Sequence, residues 1–303
     1  MSVALVRTAL AALALAVTTS AAPQAPVAAP AIPLWPQGAP GSEARRAEPE
    51  IVENTYIHNI HQPSLTVLRA DPAHANGVGI IVIPGGGHRF LVWVNEGMIP
   101  ARALNRFGVT VFVLKYRLAR EAGSTYDIAR DAAADARRAV RWVRAHAADY
   151  GVDPHRIGLM GFSAGGELVS LVADNPAPPP PPHLPEPDAI DRTDGRPDFQ
   201  VLIYPGPLGI PAKAAASAPP AFLAAGTLDQ CCATPTITLY QQLRAAGVSA
   251  ELHLFADTDH GFNIGMHSER IEVAHWPDRL ADWLTDGGWL RAGGGSKPTP
   301  GNY

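Results

Sequence analysis

Apolar and polar positions along the chain fall into two alternating kinds of segment. Short runs dense in Val, Ile and Leu, at 64–68, 79–83, 110–116, 156–162, 199–204, 221–225 and 250–255, read as strands. Several are apolar almost without a break, the pattern of strands covered on both faces. Between them, 96–107, 126–150, 164–174, 234–246 and 268–284 carry helical spacing. This alternation predicts an α/β fold, a mostly parallel central sheet with crossover helices on both faces. Within 126–150, Ile128, Ala132, Ala136, Ala139, Val140 and Val143 line one face of a helix. Asp131, Asp135, Arg137, Arg141 and Arg144 supply the other, so these charges read as a solvated face.

Three segments stand outside the alternation. Residues 1–21 combine Arg7, an apolar run from Ala9 to Val17 and the small residues Thr19-Ser20-Ala21, the form of a cleaved export signal. The run is too short to span a bilayer and no second stretch of spanning length follows, so the expectation is a periplasmic or secreted protein without stable membrane insertion. An Ala/Pro linker at 22–33 leads into a single domain at 34–286, and a Gly- and Pro-rich tail occupies 287–303. Inside the domain, 176–187 holds five consecutive prolines from Pro178, which enforce an extended chain. This insertion is either a rim over the active site or an inert surface loop.

Composition narrows the classes. With 303 residues, 47% of them hydrophobic, the chain can bury a large core. A formal net charge of −4, one unit more negative without Arg7, argues against nucleic acid as a partner. The two cysteines, Cys231 and Cys232, exclude a disulfide framework. These patterns fix no oligomeric state.

The sharpest chemical signal is Gly161-Phe162-Ser163-Ala164-Gly165, a G-x-S-x-G sequence between a strand and a helix. A serine forced into that tight turn projects its hydroxyl from the sheet, and the helix behind it points its positive end at a developing oxyanion. A serine hydroxyl is a weak nucleophile and needs a base, which in turn needs an acid to fix its tautomer. His260 follows the last strand in Asp259-His260-Gly261-Phe262 and is the candidate base; Asp229, at the end of the strand and turn 222–229, is the candidate acid. Asp257 and Asp259 compete with Asp229 by proximity but share the loop of His260 and read as turn residues. Pro84-Gly85-Gly86-Gly87-His88 follows another strand, so the amides of Gly86 and Gly87, with that of Ala164, are the candidate oxyanion hole. This chemistry calls for an acyl-enzyme on Ser163, with no cofactor and no metal.

At these residues the chain resembles secreted bacterial α/β-hydrolases of the acetyl-xylan and feruloyl esterase type, close to the hormone-sensitive-lipase-like esterases. The likeness runs through Ile32-Pro33-Leu34-Trp35-Pro36, Pro84-Gly85-Gly86-Gly87, Glu96-Gly97, Leu114-Lys115-Tyr116-Arg117-Leu118, Gly161-Phe162-Ser163-Ala164-Gly165-Gly166 and Asp259-His260-Gly261-Phe262. It implies the α/β-hydrolase fold, a Ser163, Asp229, His260 triad, and release of small acyl groups from a small ester or an acylated plant carbohydrate. His88 stands where such sequences commonly carry tyrosine, at a position expected to touch substrate. A general short-chain carboxylesterase is the main competing function; a serine exopeptidase and a non-catalytic binding scaffold rank below it. Neighbouring Cα atoms lie ~3.8 Å apart, below the usual disulfide span, so the expected state of Cys231 and Cys232 is reduced, with a vicinal disulfide as the alternative.

Overall fold

The computed structural model describes residues 31–176, 188–266 and 268–290. Residues 1–21, expected to be an export signal, nearly all of the Pro-rich insertion and most of the C-terminal tail lie outside these residues. The main sheet has eight strands: β1 (Ile32–Pro33), β4 (Ser64–Leu68), β5 (Gly79–Ile83), β6 (Thr110–Lys115), β7 (Ile157–Phe162), β8 (Phe199–Ile203), β9 (Ala221–Gly226) and β10 (Ala250–Phe255), in the order β1-β4-β6-β5-β7-β8-β9-β10. β1 pairs antiparallel with β4, and β4 with β6; every pairing from β6 onward is parallel. A separate hairpin joins β2 (Ile51–Glu53) to β3 (Tyr56–His58), turning at Asn54 with φ 53°. The sequence pattern missed β1 and this hairpin, because strands of two or three residues are too short to show a period.

Alternation of side chains across each strand feeds two cores. Ile81 and Ile83 of β5 face α2 (Ala133–Ala145), α3 (Ala164–Ala173) and α4 (Ala233–Ala245), where Val140, Leu168, Val172 and Leu243 are buried with them. Ile80 and Val82 face the opposite way, toward α1 (Ile99–Asn105) and α5 (Ile271–Asp286), and pack with Leu104, Trp276, Leu280 and Leu284. This two-sided burial is why the parallel strands are nearly continuous in apolar residues. Trp276 also donates its indole N–H to the Asn263 carbonyl at 2.9 Å, tying α5 to the loop after β10; truncating it to alanine would cost about 3–5 kcal/mol.

The charged face of 126–150 is not solvated. Asp131, Asp135, Arg137 and Arg138 are all buried. Arg117 grips both oxygens of Asp135 at 2.9 and 2.8 Å, and Arg138 grips Asp188 and Asp191. Residues 188–198, folded back after the Pro-rich insertion, cover this side of α2: Arg144 reaches Asp198 at 2.9 Å and the Arg196 carbonyl at 2.8 Å. A helical wheel reports polarity; it does not report what chain will lie across it.

Candidate active site

Ser163 occupies the turn between β7 and α3 alone, with φ 50° and ψ −119°, a conformation costly for any residue with a side chain. Its N–H donates to the Ile203 carbonyl of β8 at 3.0 Å, and its carbonyl accepts from Glu167 N–H at 3.2 Å. The flanking glycines are required by close approach. A Cβ on Gly161 would strike the Gly165 backbone, and one on Gly165 the Ile83 carbonyl. The hydroxyl therefore stands at the carboxyl ends of the strands, at the N-terminus of α3.

The loops after β9 and β10 supply its partners. They are sewn together by Thr227 N–H to Phe255 O at 3.0 Å, Leu228 N–H to Thr258 O at 2.9 Å and Asp257 N–H to Thr227 Oγ1 at 3.0 Å. That seam brings Asp229 to His260. Asp229 is buried, and its Oδ2 accepts from His260 Nδ1–H at 2.7 Å. Its Oδ1 accepts from the amides of Cys231 and Cys232 at 3.2 and 3.0 Å. On the other side of the ring, Ser163 Oγ–H donates to His260 Nε2 at 2.9 Å. Chemically, the buried carboxylate fixes the imidazole so that Nε2 is the acceptor, and Nε2 stands where it can take the serine proton. The rival acids are engaged elsewhere: Asp257 pairs with Arg270 at 3.2 Å, and Asp259 accepts the His260 backbone N–H at 2.7 Å.

The glycine loop lies across the turn from the triad. Gly86 and Gly87 have φ of 121° and 64°, and a Cβ on Gly86 would run into the Phe90 carbonyl. The Gly86 carbonyl accepts from Arg89 N–H at 3.1 Å, closing a tight turn. The N–H groups of Gly86, Gly87 and Ala164 find no acceptor among the described residues, which leaves them for a ligand oxygen. The β2–β3 hairpin braces this loop: Ile57 and Leu91 exchange backbone hydrogen bonds at 3.1 and 2.8 Å, and the Tyr56 ring meets Phe90 edge-on at 5.0 Å.

Three features depart from expectation. His88, expected to touch substrate, is fully buried and does not lie on the exposed surface beside His260. With φ of 60° its side chain turns inward, and Nε2–H donates to Glu167 of α3 at 2.8 Å, so it ties the glycine loop to the helix behind Ser163. Cys231 and Cys232 form a disulfide across a Cα separation of 3.7 Å. Span alone had argued against it, but the bond needs only side chains that converge, and at the entrance to α4 they do. Asp229, both cysteines and His260 have potential metal-ligand atoms within 4.8 Å of one another; the disulfide takes both sulfurs out of that ligand set.

The third is a residue pair that sequence reasoning gave no role. Glu96, in the wide helical turn Trp93–Met98, is buried beneath the loop. Its Oε2 accepts from Gly85 N–H at 2.8 Å and its Oε1 from the Tyr204 hydroxyl at 3.0 Å. Burial pushes the Glu96 carboxyl above the usual carboxylate range, while the two hydrogen bonds pull it back. Burial, with Glu96 beside it, holds the Tyr204 hydroxyl well above the ordinary phenol value, so it stays a donor. The Tyr204 ring meets His260 edge-on, centroids 4.7 Å apart. The available signal for Glu96 was an acid inside an apolar stretch.

The sheet, the strained serine and the hydrogen-bonded histidine and aspartate have the architecture of the α/β-hydrolase fold. A family model described as BD-FAE matches residues 70–177, the stretch that holds the glycine loop and Ser163. The chain is 26% identical to an acetylxylan esterase of Xylanibacter ruminicola over 73% of its own length and 47% of that protein, so it spans about half the length of this curated relative. Among solved structures it is similar to an acetyl ester-xyloside bifunctional hydrolase from Caldicellulosiruptor lactoaceticus, with 27% identity, a TM-score of 0.67, and coverage of 86% of this chain and 97% of that one. It is also similar to Thermogutta terrifontis esterase 2 phosphoramylated by tabun, with 25% identity, a TM-score of 0.64, and coverage of 77% and 92%. Among the described residues no helix is long and apolar enough to cross a membrane.

Proposed function

We propose that the protein hydrolyses carboxylic esters through an acyl-enzyme on Ser163, and that its substrates are acetyl or other small acyl groups carried on plant-type polysaccharides or oligosaccharides. The reading rests on one observation, the continuous chain from Ser163 Oγ through His260 to Asp229 at 2.9 and 2.7 Å. In it, His260 Nε2 takes the serine proton as Oγ attacks the ester carbonyl. The oxyanion settles on the amides of Gly86, Gly87 and Ala164, each such donor being worth about 10²–10³ in rate. His260 then gives its proton to the leaving alcohol and activates the water that releases the acid. The carbohydrate part draws on the acetylxylan esterase and the acetyl ester-xyloside hydrolase to which the chain is similar. It also draws on access: 35% of the His260 side chain is exposed, which suits an ester borne on a bulky alcohol. Export on the signal at 1–21 belongs to the same proposal, since polymeric substrates lie outside the cytoplasm.

The second reading is a general short-chain carboxylesterase, favoured by the similarity to Thermogutta terrifontis esterase 2, a protein named only for ester hydrolysis. Hydrolysis of acetylated xylan oligomers, run beside p-nitrophenyl acetate and butyrate with Ser163→Ala as control, separates the two. Ser163-dependent acetate release from the oligomers is the expected result. Turnover confined to the aryl esters would leave the second reading standing, and none on any ester, with no labelling by a serine-reactive fluorophosphonate, would overturn both.

A further inference from the structure

Both cysteines sit beside the acid of the triad. Cys231 and Cys232 follow Asp229 at the entrance to α4 and are joined by a disulfide. Cys231 is exposed, with Sγ 3.7 Å from His260 Nδ1, and Cys232 is buried. The amides of these same two residues are the donors that hold Asp229 Oδ1. We propose that the Cys231–Cys232 disulfide is a positioning element of the triad, and that it ties turnover to the thiol redox state of the surroundings. Only the kinetic part of this proposal rests on the esterase reading.

The physical argument is about freedom of rotation. A bond between neighbouring side chains closes a small ring that contains the peptide unit between them. That unit is already planar, so the ring removes most of the rotation left to it. The Cys232 N–H, which belongs to that unit, is thereby held on Asp229 Oδ1, the oxygen that also accepts the Cys231 N–H next to the ring. With Oδ1 pinned, Oδ2 is the oxygen that meets His260 Nδ1, at 2.7 Å. Opening the ring returns that rotation to an exposed segment and creates a rival as well. A Cys231 thiolate beside His260 Nδ1 is an anionic acceptor that competes with Asp229 for the same N–H.

The opening is ordinary thiol–disulfide exchange with an external dithiol. Its thiolate attacks the exposed Cys231 Sγ, the Sγ–Sγ bond breaks, and Cys232 leaves as a thiolate that takes a proton. The second thiol of the reductant then attacks the mixed disulfide and releases Cys231. Two electrons and two protons pass to the protein as the dithiol closes into its own disulfide. Exposure of Cys231 and burial of Cys232 determine which sulfur is attacked.

The test compares protein purified without reductant, the same protein after dithiothreitol treatment and removal of the reagent under inert gas, and the double variant Cys231→Ser, Cys232→Ser. For p-nitrophenyl acetate, kcat is expected to fall about tenfold or more on reduction, with KM within about twofold, because a misaimed acid disturbs proton transfer and leaves ester binding alone. Reoxidation restores the rate; the double variant, which lacks both ring and thiolate, loses the part of the rate that the ring supplies and ignores the dithiol. A readout independent of turnover is the downfield proton resonance of His260 Nδ1–H, which is expected to move or broaden on reduction and to stay constant in the double variant. The proposal falls if mass spectrometry shows both thiols alkylated after reduction while kcat and the resonance are unchanged. It also falls if both thiols alkylate in untreated protein, or if reduction and the double variant abolish the thermal unfolding transition, which would assign the bond a general structural role. If no form hydrolyses any ester, the esterase reading fails, and the resonance alone decides this inference.

Discussion

The Tyr204 hydroxyl donates to Glu96 Oε1 at 3.0 Å while Gly85 N–H donates to the other oxygen of the same carboxylate at 2.8 Å. One buried acid thus joins the glycine loop to the ring that lies edge-on against His260. Gly85 is in direct contact with the nucleophile: a Cβ placed on it would come within 2.8 Å of Ser163 Cβ. Through this link, the two halves of the site, oxyanion donors and triad, share a single anchor.

Glu96→Ala leaves a buried amide and a buried hydroxyl without their acceptor, at about 1–3 kcal/mol each, and frees the loop that carries Gly86 and Gly87. The expected result is a fall in kcat of about 10²-fold on p-nitrophenyl acetate. Glu96→Gln keeps an acceptor for Gly85 and should stay within about tenfold of the parent. Steady-state kinetics of the two, with melting curves to show both are folded, makes the check; an unimpaired Glu96→Ala would mean that the loop holds its own shape.

Asp229→Asn tests the acid by tautomer. The amide can still accept the two backbone N–H groups through Oδ1, but it presents N–H to His260 Nδ1. The ring then carries its proton on Nε2 and cannot take one from Ser163. A loss of about 10⁴ in kcat with KM little changed is expected. A loss of tenfold or less, measured on the same ester, would shift the role to another carboxylate.

Much of this was legible in the chain. The parallel strands show because burial on both faces makes them apolar throughout, and Ser163, Asp229 and His260 show because each lies in the turn or loop that follows a strand. Glu96 did not show, since an acid at helical spacing reads as solvated unless the loop that will cover it is known. Asp135 and Arg144 misled for the same reason: their partners, Arg117 and Asp198, lie 18 and 54 residues away in sequence. His88 was misplaced because a positive φ reverses the direction in which a loop side chain points, and spacing carries no information on φ.

The Arg117–Asp135 pair is dry on both sides, with side-chain exposures of 2% and 0%. Removing one partner strands the other charge, so Arg117→Met is expected to cost about 3–5 kcal/mol in urea unfolding. Adding Asp135→Asn removes the stranded charge; the Trp35 indole and the backbone amide of residue 117 bond separate oxygens of Asp135 at 3.1 Å each, so the asparagine keeps an acceptor for one of them, and the unmet N–H costs about 1–3 kcal/mol, less than the stranded charge. The double variant should therefore be more stable than Arg117→Met alone. The opposite order would show that Asp135 is not held as an unpaired anion in the single variant.

Asp174 gives the protein a pH dependence of its own. Burial raises its carboxyl from 3.8 to about 6; Oδ1 accepts from Gln200 at 2.9 Å, while Oδ2 and the nearby Ser170 hydroxyl and Gln200 carbonyl oxygen are buried without partners among the described residues. Because the folded value lies above the unfolded one, the native state binds the extra proton between roughly pH 4 and 6. The stabilisation is fully present below about pH 4, falls as pH rises through about 6, and is absent above. A shift of this size corresponds to at most about 3 kcal/mol. Asp174→Asn cannot ionise, so its unfolding free energy relative to the parent should improve by up to that amount between pH 4 and 7.5, all other titrating groups being common to both proteins. Denaturation curves for the pair at those two pH values make the measurement, and a difference that does not change with pH would mean that folding leaves the Asp174 carboxyl at its ordinary value.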